Sequence, residues 1–190
     1  MGVSYSIRRV RSVSEEDAVQ GLDTKTWPEG FKRYQALIEK GGDILVAVSK
    51  VPDHQIEVYG YIGWERIRRD QLEAMMYLPW DHPVIHDKEG TTLWVVGHAV
   101  RKDLWKEGIA KAVVESFIKG AKTDPKIDTL AVICDLDYPT VDAVRTIDAV
   151  RYWSRFGFEP DETTRNPYWV RAKGLIPTKG SVITTLDTRI

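Results

Sequence analysis

The chain has 190 residues, enough to bury one core without disulfide staples, and its apolar and charged fractions are those of an ordinary globular domain. A formal net charge of −1 excludes a bulk electrostatic case for nucleic acid. The single cysteine, Cys134, excludes an intramolecular disulfide, and no apolar run reaches the roughly 20 residues of a membrane span.

No signal-peptide pattern opens the sequence, so a cytoplasmic location is expected. Cys134 follows Val132 and Ile133, the setting of a buried strand thiol rather than a nucleophile. Seven tryptophans and eight tyrosines point to aromatic burial in the core or in a dimer contact before ligand stacking, which leaves a homodimer open.

In chain order, residues 5–10 read as an opening strand. Ser14 and Asp17 make a capping-box-like start for a helix over 15–22. Trp27-Pro28 breaks it, and 31–40 reads as a second helix ended by Gly41-Gly42. Residues 44–48 and 56–67 form two β-branched-rich strands around a turn at Pro52-Asp53-His54. Gly60 and Gly63 in the second strand predict a close backbone approach or a bulge. Residues 68–90 are the least regular, with a short helix over 71–77 and then Pro79, Trp80 and Pro83. So long a connection reads as a lid or an interaction surface.

Residues 91–100 are apolar enough for a buried strand, and 101–107 turn polar. From Gly108, Ile109, Val113 and Phe117, with Ala110 and Val114, recur at helical spacing, and Gly120 is the expected stop. A buried strand follows over 127–136, then a turn at Tyr138-Pro139. Val141, Val144, Ile147, Val150 and Trp153 give a helix running to Gly157. After a charged turn over 161–165, Tyr168-Trp169-Val170 is a late strand. In the tail, 175–190, residues 182–185 form a strand if they pair with the sheet or with a second subunit. The pattern predicts one mixed α/β domain over 1–190, a single sheet with helices on both sides.

A strand that delivers a glycine to a helix N-terminus presents several unpaired backbone N–H groups, which makes an anion site. Lys106 and Lys111 flank this one and favour phosphate. The spacing from Ala99-Val100 to Gly108-Ile109-Ala110 resembles the acyl-CoA signature of the GNAT superfamily of N-acyltransferases, close to A-V-x-P-x-x-R/Q-x-x-G-x-G/A. Lys102 stands where proline is common, and Trp105 where Arg or Gln is usual. A second family motif, roughly N-x-x-A-x-x-x-Y-x-x-x-G-F, falls on Thr146, Ala149, Trp153 and Gly157-Phe158, with Trp153 in place of the tyrosine that often protonates the leaving thiolate.

The resemblance implies a GNAT-like fold, acetyl-CoA as acyl donor, and transfer of the acetyl group to a primary amine by direct attack on the thioester. In that reading His98, Ala99 and Val100 hold the pantetheine arm through their backbone. Lys106, Glu107, Gly108, Ile109, Ala110 and Lys111 hold the pyrophosphate, with Thr146 and Trp153 as further cofactor contacts. The acceptor is a small-molecule amine or a protein amine, with no nucleic acid or membrane partner, and Met75, Met76, Tyr77 and Trp80 of the 68–90 segment line its site or a dimer contact.

Amine acylation often needs a base for the ammonium proton. The candidates are Asp135 in the strand after the signature helix, Glu65 at the end of the second hairpin arm, and His98. Tyr152, adjacent to Trp153, is the side-chain candidate for the acid, and water is the other. His82 and His86 have no third partner, so no metal is expected. The strand over 91–100 carries no carboxylate, and this with the missing tyrosine motivates the alternative, a GNAT-shaped acyl-CoA-binding or regulatory module with little catalysis.

Overall fold

A computed structural model describes residues 3–26, 42–49, 56–72, 87–135, 149–171 and 174–189. Among them seven strands join in one sheet in the order β1-β2-β3-β4-β5-β7-β6, and with three α-helices they make a mixed α/β chain. The chain divides into two compact units: Met1–Glu65 with Val95–Gly120, and Arg66–Trp94 with Ala121–Ile190.

The first unit opens with β1 (Tyr5–Arg9) and α1 (Val13–Thr26). The helix starts earlier than expected because Ser12 caps it rather than Ser14. The Ser12 carbonyl accepts the Glu15 N–H at 3.1 Å, and its hydroxyl accepts the same N–H at 3.4 Å. Glu15 reaches back to accept the Arg11 N–H at 2.7 Å and is gripped by both Arg8 nitrogens, at 2.9 and 2.5 Å.

Glu15 is only 3% exposed, and the Arg8 hydrogen bond holds its carboxyl below the usual carboxylate range. Its stabilisation is therefore complete above the unfolded value of about 4.3 and is lost as pH falls through the folded one. Glu15→Ala is expected to cost about 2 kcal/mol at pH 7, with the gap to wild type closing in acid; urea melts at the two pH values check it.

Antiparallel strands β1, β2 (Asp43–Ser49) and β3 (Val58–Ile67) carry the core of this unit. Val19 and Leu22 of α1 pack on Ile44, Val46, Val48, Val58, Tyr61 and Ala99. The bulge expected in this strand lies beside Gly60: Ala47 faces Gly60 and Val48 faces Val58, which leaves Tyr59 of β3 as the extra residue. A Cβ at Gly60 would stand 2.8 Å from Val100 Cγ2, 3.0 Å from the Ala99 carbonyl oxygen and 3.4 Å from Ile109 Cγ2. Glycine here is what lets β3, the end of β4 (Thr92–Val100) and the start of α2 (Ile109–Thr123) meet. Neighbouring strand residues face opposite ways, so Tyr61 toward α1 and Gly60 toward Ile109 put the two helices on opposite faces.

Helix α2 buries Ile109, Val113, Val114 and Phe117 as the spacing predicts, and Phe117 packs on Trp64 with ring centroids 4.9 Å apart. It does not stop at Gly120. The apolar row continues to buried Ala121, and that fourth-residue repeat carries the helix to Thr123.

In the second unit, β7 (Gly174–Asp187) lies antiparallel between β5 (Thr129–Asp135) and β6 (Glu159–Arg171). Val182 pairs with Cys134 and Thr185 with Ala131, so the 182–185 strand is claimed within the chain. The 161–165 stretch is an irregularity inside β6, where the register shifts between Asp161 and Asn166, not a turn before a short strand. Helix α3 (Ala149–Ser154) ends through Gly157, whose φ of +87° suits glycine. The expected helix over 31–40 lies outside the described residues, as do the turns at Pro52-Asp53-His54 and Tyr138-Pro139.

Candidate functional site

The signature stretch falls in the first unit. Along β4, Leu93, Trp94 and Val95 are buried, Val96, Gly97 and His98 keep part of their surface, and Ala99 and Val100 are buried again. From Arg101 the chain turns away. The Arg101 N–H bonds to the Tyr59 carbonyl at 2.9 Å. The Arg101 guanidinium reaches Glu57 at 2.9 Å and Asp103 at 2.7 Å while lying over the Tyr59 ring. This clamp at the strand end was not legible beforehand: Arg101-x-Asp103 is visible in sequence, but Glu57 comes from a different strand end.

A 3-10 turn over Lys102–Leu104 follows, anchored by buried Leu104. The N–H groups of Leu104, Trp105 and Glu107 are used within the loop, bonding to Arg101, Lys102 and Leu104 carbonyls at 3.0, 3.4 and 3.1 Å. Ala112 is the first residue of α2 to bond backward, to the Gly108 carbonyl at 3.0 Å. The N–H groups of Lys106, Gly108, Ile109, Ala110 and Lys111 have no acceptor among the described residues. Gly108 has φ +75°, and nothing lies within 4 Å of where a Cβ would stand. The glycine is thus required by its backbone angle, and the space beside it is open. Open donors, a helix N-terminus and the exposed side chains of Lys106 and Lys111 make a fitting cradle for a diphosphate. Lys111 also pairs with Glu115 at 3.6 Å, and Glu107 is exposed, so its contribution to an anion is its backbone.

His98 Nδ1 lies 2.7 Å from the Tyr61 carbonyl oxygen. A carbonyl only accepts, so Nδ1 carries the proton and Nε2 is the basic nitrogen. Burial pushes the imidazole down to about 4, against the opposing pull of the Tyr61 bond. His98 is therefore neutral at pH 7, with Nε2 able to accept a proton. A folded value below the unfolded 6.5 means that stability falls as pH drops from about 6.5 to about 4. Between pH 7 and 5 the wild type should lose about 2 kcal/mol through this group. Denaturant melts of His98→Asn should show that component missing.

Glu65, also in the first unit, is half-buried with no ion-pair or hydrogen-bond partner among the described residues. The remaining candidates fall in the second unit. Asp135 is the last residue of β5, its Cα opposite Ser181. Tyr152 is half-buried on α3, edge-on to Trp153 and Phe156, and burial raises its hydroxyl above the ordinary tyrosine value. Trp153, 5% exposed, packs against Phe158 with centroids 5.1 Å apart, so its ring is a core element. Thr146, Met75, Met76, Tyr77, Trp80, His82 and His86 lie outside the described residues. Among the described residues no group of three His, Cys, Asp or Glu could hold a metal, and no helix is long and apolar enough to cross a membrane.

No family model and no curated protein matches the sequence. Solved structures do match. The chain is similar to NAA60 of Arabidopsis thaliana in complex with a bisubstrate analogue, at 16% identity and TM-score 0.70, with 97% of this chain and 98% of that one covered. It is similar to GphF, a GNAT-like decarboxylase in complex with isobutyryl-CoA, at 15% identity and TM-score 0.74, covering 97% and 100%. It is also similar to the ribosomal-protein-S18-alanine N-acetyltransferase of Escherichia coli, at 10% identity and TM-score 0.63, covering 97% and 94%. At such identities the likeness is one of fold. The chain has the GNAT fold along nearly its whole length.

Proposed function

We propose that this protein is an N-acetyltransferase that moves the acetyl group of acetyl-CoA to a primary amine. The observation that carries the proposal is the set of unused N–H donors at Lys106 and Gly108 to Lys111 beside open space, in a fold whose solved neighbours include NAA60 with acetyl-CoA and GphF with isobutyryl-CoA. The diphosphate takes those donors, and the pantetheine arm runs along His98, Ala99 and Val100. The neutral amine nitrogen attacks the thioester carbonyl carbon. The C–N bond forms as the carbonyl opens to a tetrahedral centre, and collapse of that centre restores the carbonyl, breaks the C–S bond and expels the CoA thiolate. The proton shed by nitrogen goes to a base, for which Asp135 is the first choice and Glu65 the second. The thiolate takes a proton from Tyr152 or from water.

A second reading, a GNAT-shaped acyl-CoA-binding or regulatory module, draws on the burial of Trp153 where the family's tyrosine usually stands. A panel of small and peptidyl amines separates the two. With acetyl-CoA present, release of free thiol that rises with at least one amine supports the transferase. Saturable CoA binding with no amine-dependent release supports the module.

A further inference from the structure

We propose that Trp105 is a positioning residue for the diphosphate turn: its indole N–H, bonded to the Val100 carbonyl, holds the 101–108 loop to the end of β4. The inference rests on the acetyl-CoA reading above. Among the described residues, Trp105 is one of three large apolar side chains left exposed, at 50%, the others being Val13 and Ile56. Half of the indole stays in solvent, and apolar burial is non-directional, so burial does not by itself set how the ring is turned. Its orientation is set by a bond of 2.9 Å from Nε1 to the carbonyl oxygen of Val100.

That bond ties two parts of the candidate site together. Val100 ends the strand assigned to the pantetheine arm, and Trp105 immediately precedes Lys106, the first unused donor. The backbone does this job weakly at the same residue, since the Trp105 N–H reaches the Lys102 carbonyl only at 3.4 Å. The side chain supplies the closure that the turn lacks. An Arg or Gln, usual at this position in the family, can offer polar groups to a ligand. A tryptophan has one donor, and here the protein itself takes it. At this position the side chain holds the loop that presents the donors.

The test titrates wild type, Trp105→Phe and Trp105→Ala with acetyl-CoA and with an acetyl-pantetheine thioester lacking the diphosphate, and records Tm for each protein. Both variants should bind acetyl-CoA about fivefold or more weakly, to the same extent. Affinity for the truncated thioester should be unchanged, and Tm should move little because the ring is half-exposed. Trp105→Phe binding like wild type while Trp105→Ala loses affinity would assign the effect to the ring face and overturn the proposal. Equal loss for both ligands, or a large fall in Tm, would make Trp105 merely structural and overturn it as well. Wild type that binds no acetyl-CoA overturns the acetyl-CoA reading itself, and this inference with it.

Discussion

Gly108→Asp is expected to lower acetyl-CoA affinity by roughly 10²-fold while the protein stays folded. The fold should survive because Gly108 is exposed and nothing stands within 4 Å of a Cβ there. Its φ of +75° is a left-handed angle that Asp tolerates better than most residues. Affinity should not survive. A carboxylate would sit at the mouth of the open donors and repel each phosphate charge, and its own oxygens would compete for the Ile109 and Ala110 N–H groups. Gly108→Asn is the control, since it adds the same bulk and the same backbone strain without the charge. If Asn costs little and Asp costs much, the ligand at this turn is an anion. If both bind as wild type does, the diphosphate lies elsewhere.

The second large effect belongs to the acid–base step. Asp135→Asn is expected to lower turnover by about 10²-fold at neutral pH, the size of a general-base contribution. A primary amine is mostly protonated at pH 7, so the proposed transfer requires that a proton be removed before or during attack. The deficit should shrink as pH rises toward the amine's own value near 10, where the nucleophile is neutral unaided. A variant that matches wild type at every pH moves the role to Glu65, the half-buried carboxylate of β3 without a described partner. His98 stays neutral at pH 7, because burial holds it near 4.

Much of the fold was legible because local pattern and tertiary demand agreed. Ile109, Val113 and Phe117 repeat at helical spacing and are all buried, and Gly60 marks a close approach in a strand. Where they disagreed, a longer-range partner decided. Ser14 and Asp17 look like a cap, but Ser12 wins because Glu15 is pulled back by Arg8, which lies on another element. Gly120 looks like a stop, but buried Ala121 rewards another turn of helix. The 182–185 strand carried no sign of its partners, which proved to be β5 and β6.

At the site, the strand–turn–helix and its glycine were readable from spacing alone. The state of the side chains was not. That His98 gives its Nδ1 proton to Tyr61, that Arg101 bridges Glu57 and Asp103, and that Trp105 bonds back to Val100 all depend on groups distant in sequence or on the course of a turn. Spacing names the backbone donors well because they are common to every residue, and it says little about which side-chain groups the fold has already used.

Calorimetric titration of the wild-type protein with acetyl-CoA tests the central claim most directly. The donors at Lys106 and Gly108 to Lys111 predict saturable binding at one site, with a dissociation constant between about 1 μM and 1 mM, as working acyl donors require. No heat of binding at millimolar acetyl-CoA, from protein that melts cooperatively, would contradict it.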